Sequence, residues 1–413
     1  MNFMKLTKSE RNWVLYDVGN SAFTLLVATI VPIYFNYLAG EAGLSDTDYL
    51  AYWGYAASIV TLVVMFIGPV FGTLADTKGF KMPIFATALL VGAVGCVCMG
   101  LPMSWFAFLV IFIIAKIGYS SSLVFYDSMI SDVTTEDRVD AVSSQGYAWG
   151  YIGSCIPFLV CLVIVLARDA IGLSLTTAML ISFIITALWW VVLTVPMILG
   201  YHQTHYVEPK KHAVRDAFAR IGRTFADAKK HKGVFLFLLA FFFYIDGVYT
   251  IIDMATTYGT ALGFDTTGLL LALLLTQVIA FPCSILFGRL AAKYETAKLI
   301  TVCIVAYLGI ALFATFMFTQ IQFWILAVLV GMFQGGIQAL SRSYFTRLIP
   351  AEQAGEFFGL MDICGKGASL VGTTLVSVVT QLTDNMHLGV AMIAVLFVVG
   401  LVLFRVSVKY REK

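Results

Sequence analysis

Residues 72–81 read Gly-Thr-Leu-Ala-Asp-Thr-Lys-Gly-Phe-Lys and lie between two long apolar stretches. A shortened copy, Gly-Arg-Leu-Ala-Ala-Lys, follows at 288–293, an offset of 216 residues. The same offset aligns Val-Thr-Thr-Glu at 133–136 with Ile-Pro-Ala-Glu at 349–352. Two matches in one register indicate a duplicated six-helix unit, and parallel repeats of this kind place a binding site near the midplane between the halves.

The composition indicates that lipid is the solvent for most of this chain. Of its 413 residues, 60% are hydrophobic and 12% are charged, and the mean hydropathy is +0.90, far outside the range of soluble domains. A spanning helix needs about 20 mostly apolar residues. Twelve windows meet this requirement: 13–38, 50–75, 82–101, 105–131, 143–167, 173–200, 233–261, 267–289, 297–319, 322–346, 357–382 and 387–407. We therefore expect an all-α membrane protein with twelve transmembrane helices in two pseudo-symmetric six-helix bundles.

The basic residues predict the orientation, because Lys and Arg near helix ends are retained in the cytoplasm. With the N-terminus inside, 22 of the 26 Lys and Arg residues fall in cytoplasmic segments and Arg168 falls outside. The remaining three, Lys116, Arg342 and Lys366, lie within apolar windows. We expect both termini in the cytoplasm, and a first helix that is retained because its apolar stretch is too long for a signal peptide.

The chain divides into an N-terminal bundle (1–200), a polar linker (201–232) and a C-terminal bundle (233–413). Apolar residues recur at helical spacing among the linker's cations, which predicts a basic amphipathic helix on the inner leaflet; a regulatory or partner-binding role is the alternative. The net charge of +2 does not argue for nucleic acid. The sequence has no P-loop, no hydrolase signature and no metal-ligand spacing, so we expect no enzyme activity and no cofactor.

Residues 72–81 match G-x-L-A-D-x-x-G-x-K, the loop 2–3 signature of the major facilitator superfamily, which the chain resembles. Tyr-Asp-Val-Gly-Asn-Ser-Ala-Phe at 16–23 resembles the opening Y-D-W-A-N-S-A-F of its vacuolar-effluxer-like branch, the autophagy-related amino-acid effluxers. Gly-Gly-Ile-Gln-Ala-Leu-Ser-Arg-Ser at 335–343 and Phe-Phe-Gly at 357–359 also match that branch. The resemblance implies a secondary transporter of the major facilitator fold, in which segments one, four, seven and ten line a central cavity. It implies a solute exporter more firmly than a particular cargo.

The resemblance also implies a cytoplasmic gate at the first loop. Gly72 permits close helix approach, and Asp76 can accept hydrogen bonds at a neighbouring helix N-terminus. Gly79 allows a tight turn, and Lys81 adds cytoplasmic charge. The second copy has Ala292 at the position that corresponds to Asp76, so we expect an asymmetric latch.

Polar side chains follow helical spacing on the four segments that the resemblance assigns to the cavity. The expected substrate or coupling cavity is lined by Asp17, Asn20, Lys116, Asp246, Tyr249, Asp253, Gln334, Gln338 and Arg342. A charge within bilayer hydrocarbon is costly unless it faces a partner or water, so such residues usually mark a functional pathway. On segment eleven, Asp362 and Lys366 are spaced i, i+4 and are expected to form an intramembrane ion pair.

Two roles stay open for several of these charges. Lys116 lies roughly 16 Å into segment four, close to the midplane, where it can recognise a substrate carboxylate or form a static pair with Asp17, Asp246 or Asp253. Arg342 can contact substrate or pair with a carboxylate of segment four or seven. Asp246 first, then Asp17 and Asp253, are candidates for proton coupling, because a carboxylate in a low-dielectric cavity can be protonated reversibly.

The function expected is alternating-access export of a small polar or zwitterionic solute such as an amino acid, with protons as a candidate coupling ion. The expected partners are this solute and the lipid bilayer, and the expected form is a monomer in a bacterial cytoplasmic membrane. Two alternatives remain, a flippase for a lipid or glycolipid and a non-transporting membrane receptor or scaffold. Saturable uptake of water-soluble solutes would favour the first function, and dependence on the lipid head group would favour a flippase.

Overall fold

The computed structural model describes residues 5–208 and 232–411, which form helices joined by short loops. Within these ranges twelve helices are long and apolar enough to cross a membrane, which confirms the predicted number. In chain order they are α1 (Lys8–Glu41), α2 (Asp46–Ala75), α3 (Lys81–Cys98), α4 (Trp105–Ser128), α5 (Val139–Leu166), α6 (Leu175–Gly200), α7 (Lys232–Ala261), α8 (Thr266–Ala291), α9 (Thr296–Thr315), α10 (Gln320–Thr346), α11 (Ala354–Thr383) and α12 (Met386–Arg411). A single helical turn, Ile130–Val133, follows α4, and a short 3₁₀ turn, Ala351–Gln353, precedes α11.

Side-chain caps determine where several helices begin. At the start of α1, Glu10 N donates to Thr7 Oγ1 and Thr7 N donates to Glu10 Oε2, a reciprocal capping box. Ser104 caps α4 by accepting a hydrogen bond from the third residue of the helix. Such caps satisfy backbone N–H groups that have no partner within the helix. They also explain why α1 extends beyond the predicted window 13–38, because a polar first turn carries no hydropathy signal.

The twelve helices pack as two groups of six, which we call the N half (α1–α6) and the C half (α7–α12). In the N half, α1 lies against α5 and α6, and α3 lies against α4. In the C half, α7 lies against α11 and α12, α8 against α10, and α9 against α12. The halves meet where α2 packs on α11 and where α5 packs on α8 and α10. The interface between the halves is therefore built from helices of both.

The helices α3, α6, α9 and α12 present exposed apolar side chains. Leu90 on α3, Leu199 on α6, Val302 on α9 and Val402 on α12 are all exposed. A continuous apolar surface of this kind marks contact with a partner or a membrane. On a bundle of twelve spanning helices, lipid is the environment that such a surface requires.

The predicted linker, 201–232, is described only at its start. Residues 201–208 run without helix across the end of the N half and form one parallel β-bridge, between Thr77 and Val207. The predicted amphipathic helix falls on residues 209–231, outside the described part of the chain.

Candidate functional site

The two halves touch through glycines at one end of the bundle, which we call the terminal end. It is the end at which α1 begins, α12 ends and the α2–α3 and α10–α11 loops lie. Here α2 crosses α11 so closely that a Cβ on Gly72 would overlap the carbonyl oxygen of Gly355. One turn further along, a Cβ on Gly359 would lie 2.6 Å from the carbonyl oxygen of Gly68. Glycine at these positions is what allows the backbones of the two halves to touch.

Asp76 joins the halves beside this crossing. Its fully buried carboxylate accepts hydrogen bonds from Gly355 N at 2.7 Å and from Glu356 N at 2.9 Å. These amides belong to the first turn of α11, so the carboxylate satisfies free N–H groups and complements the positive end of the helix dipole. Lys81 Nζ lies 3.8 Å from Asp76 Oδ1. Gly79 has a φ of +78°, the left-handed conformation that the turn between α2 and α3 requires.

The second contact between the halves uses different chemistry. Asp140, in the first turn of α5, accepts hydrogen bonds from Arg347 Nη2 at 2.5 Å, Thr296 Oγ1 at 2.9 Å and Ser343 Oγ at 2.5 Å. All three donors belong to the C half. The contact between α5 and the C half is thus an ion pair, whereas the contact between α2 and α11 is a carboxylate that caps a helix. Ala292 occupies the position in the C half that corresponds to Asp76.

Asp132 holds the start of the linker against the N half. Its buried carboxylate accepts hydrogen bonds from Tyr201 Oη, Thr204 Oγ1 and His205 N, and lies 3.5 Å from Lys81 Nζ. Burial disfavours the charged form of Asp132, but the charge of Lys81 and these hydrogen bonds outweigh burial and lower its pKa. Asp132 therefore stays ionised and connects three separate segments.

The same segment, residues 201–208, also hydrogen bonds to the α2–α3 loop, and we call it the strap. Val207 N donates to Asp76 O at 2.8 Å, and Lys78 N donates to Val207 O at 3.1 Å. Gln203 Oε1 accepts from Gly79 N at 2.9 Å. The strap therefore fixes the backbone of the loop that carries Asp76.

Asp17, Asn20 and Arg342 are brought together in a buried cluster near the terminal end. Asp17 Oδ2 accepts a hydrogen bond from Tyr126 Oη at 2.7 Å and lies 3.5 Å from Arg342 Nη2. Asn20 Nδ2 donates to Asp17 Oδ1 at 3.3 Å. Arg342 Nη1 donates to Asp127 Oδ1 at 2.8 Å, so of the roles left open for Arg342 the structure has the ion pair with segment four.

Lys116, a residue of α4, lies apart from this cluster. Its Nζ is 4.9 Å from the ring centroid of Tyr119 and 6.0 Å from that of Phe23. It has no hydrogen bond or salt bridge to any side chain that the structure describes. Lys116 is therefore not in a static ion pair with Asp17 or Asp246.

Further polar groups of the C half lie on α7 and α10. Asp253 is exposed, and Tyr249 is half-buried. Gln338 Oε1 lies 3.5 Å from the hydroxyl of Tyr151 in the N half. Gln334 is buried and lines a cavity of about 50 Å³ between α7, α8 and α10.

Asp362 and Lys366 lie between Lys116 and the terminal end. Lys366 Nζ lies 2.6 Å from Asp362 Oδ2 on the same helix and 3.5 Å from the carbonyl oxygen of Ser120 on α4. Both side chains keep partial exposure. The pair therefore bridges α11 and α4.

Asp246 is not at the cavity surface, which differs from the sequence expectation. It is fully buried between α7 and α11, where Oδ1 accepts from Gly372 N at 2.9 Å and from Thr250 Oγ1 at 3.2 Å. The physical reason is the close approach of α11, because a Cβ on Gly372 would overlap the Asp246 carboxylate. Asp246 and Asp253 share a helix face by spacing, but only Asp253 lies beyond the cover of α11.

Several contacts were missed by the sequence reasoning. The residues concerned are Asp132, the pair of Asp140 and Arg347, and the aromatic side chains Trp13, Tyr126 and Tyr147 around Arg342. Asp140 and Arg347 lie next to the two loops that the 216-residue offset aligns, and that position was an available signal. No group of three or more His, Cys, Asp or Glu residues within the described ranges is placed to hold a metal ion.

Comparisons with known proteins agree with this architecture. The family described as "Vacuole effluxer Atg22 like" matches residues 45–413. An uncharacterized transporter of the major facilitator type, YxiO of Bacillus subtilis, is 43% identical over 404 residues, which cover 97% of this chain and 94% of that protein. Autophagy-related protein 22 of Cryptococcus neoformans is 28% identical over 307 residues, 69% of this chain and 52% of the fungal protein.

Among solved structures, the human organic anion transporter MFSD10 (TETRAN) superimposes with a TM-score of 0.73 at 12% identity, over 97% of this chain and all of that one. This likeness establishes the major facilitator fold with its two six-helix bundles. The chain is a multi-pass integral membrane protein and a transporter rather than an enzyme. Its sequence and its fold together place it in the Atg22-like vacuole effluxer family of the major facilitator superfamily.

Proposed function

We propose that the protein is a secondary transporter that moves a small zwitterionic solute, such as an amino acid, by alternating access. The observation that carries this proposal is the pair of opposite charges on opposite halves, Lys116 on α4 and Asp253 on α7. Lys116 lies eleven residues from the start of α4 and Asp253 eight residues from the end of α7, so their depths from the same side differ by about 5 Å. A solute with a carboxylate and an ammonium group complements both charges.

Lys116 is better suited to bind a solute carboxylate than to form a permanent ion pair within the protein. A cation in a low-dielectric site needs an anion or water, and the rings of Tyr119 and Phe23 compensate its charge only in part. A solute carboxylate would complete the compensation and would leave when the cavity opens to the other side. Asp253 would receive the ammonium group from the C half, so binding would connect both halves.

The direction of transport and the coupling follow the sequence expectations. We infer that the terminal end faces the cytoplasm of a bacterial cell, because the basic loops lie there, and that the transporter works as a monomer in export. Proton coupling is assigned first to Asp246. Its buried carboxylate joins α7 to α11 through Gly372, so its protonation state would influence the packing of these two helices.

Transport by the purified protein in proteoliposomes tests the solute site. We expect saturable exchange of at least one labelled amino acid. Lys116→Met should raise the half-saturation concentration about ten- to a hundredfold, which corresponds to a lost charged hydrogen bond. Lys298→Met is the matched control, because Lys298 is an exposed lysine in the first turn of α9, paired with Glu295.

Two results would contradict this assignment. Unchanged half-saturation in Lys116→Met would remove Lys116 from recognition. Transfer of a labelled lipid between leaflets, without exchange of any water-soluble solute, would replace the proposal with a flippase.

A further inference from the structure

Arg342 belongs to the C half, but its polar partners belong to the N half. The side chain leaves α10, is 3% exposed and ends among residues of α1, α4 and α5. Nη1 donates to Asp127 Oδ1 at 2.8 Å, Nη2 donates to Ser143 O at 3.0 Å and Nε donates to Ser143 Oγ at 2.9 Å. Asp17 Oδ2 is 3.5 Å from Nη2. The N half therefore forms the binding site for a cation that belongs to the C half.

Aromatic rings complete this site. The guanidinium carbon of Arg342 lies 4.6 Å from the ring centroid of Trp13, 4.4 Å from that of Tyr147 and 5.6 Å from that of Tyr126. Rings at these distances attract a cation through their quadrupoles. We call Asp17, Asp127 and these three aromatic residues the cage.

Three members of the cage, Trp13, Tyr126 and Asp17, are held together without Arg342. Trp13 stacks on Tyr126 with ring centroids 4.3 Å apart, and Trp13 Nε1 donates to Tyr126 O at 3.0 Å. Tyr126 Oη donates to Asp17. These bonds lie within the N half, so they persist when the halves move apart. The cage is thus preorganised for a cation, whichever cation fills it.

A glycine leaves room for the occupant. A Cβ on Gly146 of α5 would lie 2.5 Å from Asp17 Oδ2 and 3.1 Å from Arg342 Nη2. Any larger residue there would push the carboxylate or the cation out of position. The backbone of α5 therefore approaches the cage as closely as a cation between Asp17 and Ser143 requires.

Alternating access requires the halves to separate at the terminal end. When they separate, α10 carries Arg342 away with the C half, and Asp17 and Asp127 lose their cation in a largely buried place. An unpaired buried carboxylate is strongly unfavourable. Water enters at that end when it opens, so another cation can reach the two carboxylates and take the place of Arg342.

We propose that the cage is a binding site for the ammonium group of the transported solute. Arg342 fills it when the terminal end is closed, and the solute fills it when that end is open. The exchange of one monovalent cation for another leaves the charge of the cage unchanged. This inference depends on the proposed alternating-access function and adds to it the site at which a solute amine is first held.

The test measures the distance between the two halves at the terminal end in the presence of a small amine. Spin labels at the exposed positions Asp137 and Lys293, on different halves at the terminal end, are introduced in a background without native cysteines. Methylammonium chloride should increase the fraction of molecules with the longer distance, because the amine competes with Arg342 for the cage. N-Methylglucamine chloride at equal ionic strength should give no increase. Asp17→Asn combined with Asp127→Asn should abolish the response to methylammonium.

Two milder variants keep the test valid if the double variant fails to fold. Tyr147→Leu removes one ring and no charge, and should weaken the apparent affinity for methylammonium about fivefold. Arg342→Gln empties the cage in every state, so methylammonium should raise its melting temperature by mass action. Arg347→Gln, the matched arginine between the halves, should give no such rise, because Arg347 pairs with Asp140 and has no recorded ring contact within the described residues.

The outcomes separate this inference from the transport function. A protein that exchanges amino acids but shows no distance change with methylammonium overturns the cage and leaves the transport proposal standing. A protein that responds to methylammonium but transports no amine overturns the proposed function and leaves a cation-binding cage. An equal response to sodium chloride overturns the assignment to an ammonium group, since the site would then accept any monovalent cation.

Discussion

At the scale of residues, a single buried lysine connects two buried carboxylates of the terminal end. Lys81 Nζ lies between Asp76, which caps α11 of the C half, and Asp132, which binds the strap. All three side chains are at most 1% exposed. Charges buried in this way are stable only as a group, because removal of one partner leaves the others uncompensated.

Asp132→Asn should therefore destabilise the protein by about 3 kcal/mol, the lower part of the range for a broken buried pair, because Lys81 keeps Asp76. The pKa of Asp132 is lowered in the folded protein, so its contribution is present above its ordinary pKa and is lost as pH falls through the lowered value. The stability difference between wild type and variant should thus not shrink between about pH 8 and about pH 5, and a positive charge on His205, whose Nδ1 lies 3.1 Å from Asp132 Oδ1, can only increase it.

Denaturation of the purified protein across this pH range measures the difference. Asp137→Asn, an exposed carboxylate of the same loop, is the control and should change stability by no more than about 0.5 kcal/mol. A difference that shrinks steadily between pH 8 and pH 5 would contradict the lowered pKa.

Sequence spacing indicated which residue types belong to the candidate site, but it did not indicate what packs around each side chain. The polar spacing on α1 and α7 selected charged residues within apolar windows, since hydropathy makes such residues stand out. Spacing could not distinguish Asp246 from Asp253, because the difference depends on how closely α11 approaches at Gly372. The aromatic side chains around Arg342 gave no signal either, because aromatic residues are common in every apolar helix.

At the scale of elements, the crossing of α2 and α11 decides whether the terminal end can close. Gly72 and Gly355 leave no space between the two backbones, and Asp76 bonds to α11 at the same place. The strap adds hydrogen bonds to the loop behind it. The closed end is thus held by backbone contact and a few charged hydrogen bonds.

Gly72→Ala should disfavour the closed terminal end by about 1–3 kcal/mol, because the added methyl group would overlap the Gly355 carbonyl and force the helices apart. Distances between spin labels at Asp137 and Lys293 should then shift toward the longer population. Gly54→Ala, on the same helix, is the matched control, because a Cβ there meets nothing within 4 Å. A closed distance in Gly72→Ala equal to that of the control would contradict the role of the crossing.

The loop motif at 72–81 predicted this element well, whereas the strap was unpredictable. Gly72, Asp76 and Gly79 form a pattern whose geometry follows from the chemistry of each residue. The strap has no periodicity, and its partners Gly79 and Asp132 are distant from it in sequence. Contacts of this kind become visible only when the chain is folded.

At the scale of the whole molecule, two similar halves each contribute charged side chains to the membrane interior. The N half contributes Lys116 and the cage, and the C half contributes Asp253 and Arg342. The fold was predictable because the hydropathy windows and the 216-residue offset report global properties of the chain. The asymmetry between Asp76 and the pair of Asp140 and Arg347 shows that duplication preserved the fold and changed the contacts.

Alternating access requires that the two ends of the bundle open in turn, and distances measured at both ends test this directly. Spin labels at Asp137 and Lys293 report the terminal end, and labels at Asp169 and Gln381, both exposed, report the opposite end. In lipid nanodiscs with a transported amino acid, the terminal distance should lengthen in the same fraction of molecules in which the opposite distance shortens. Two distances that stay fixed, or that lengthen together, would contradict alternating access.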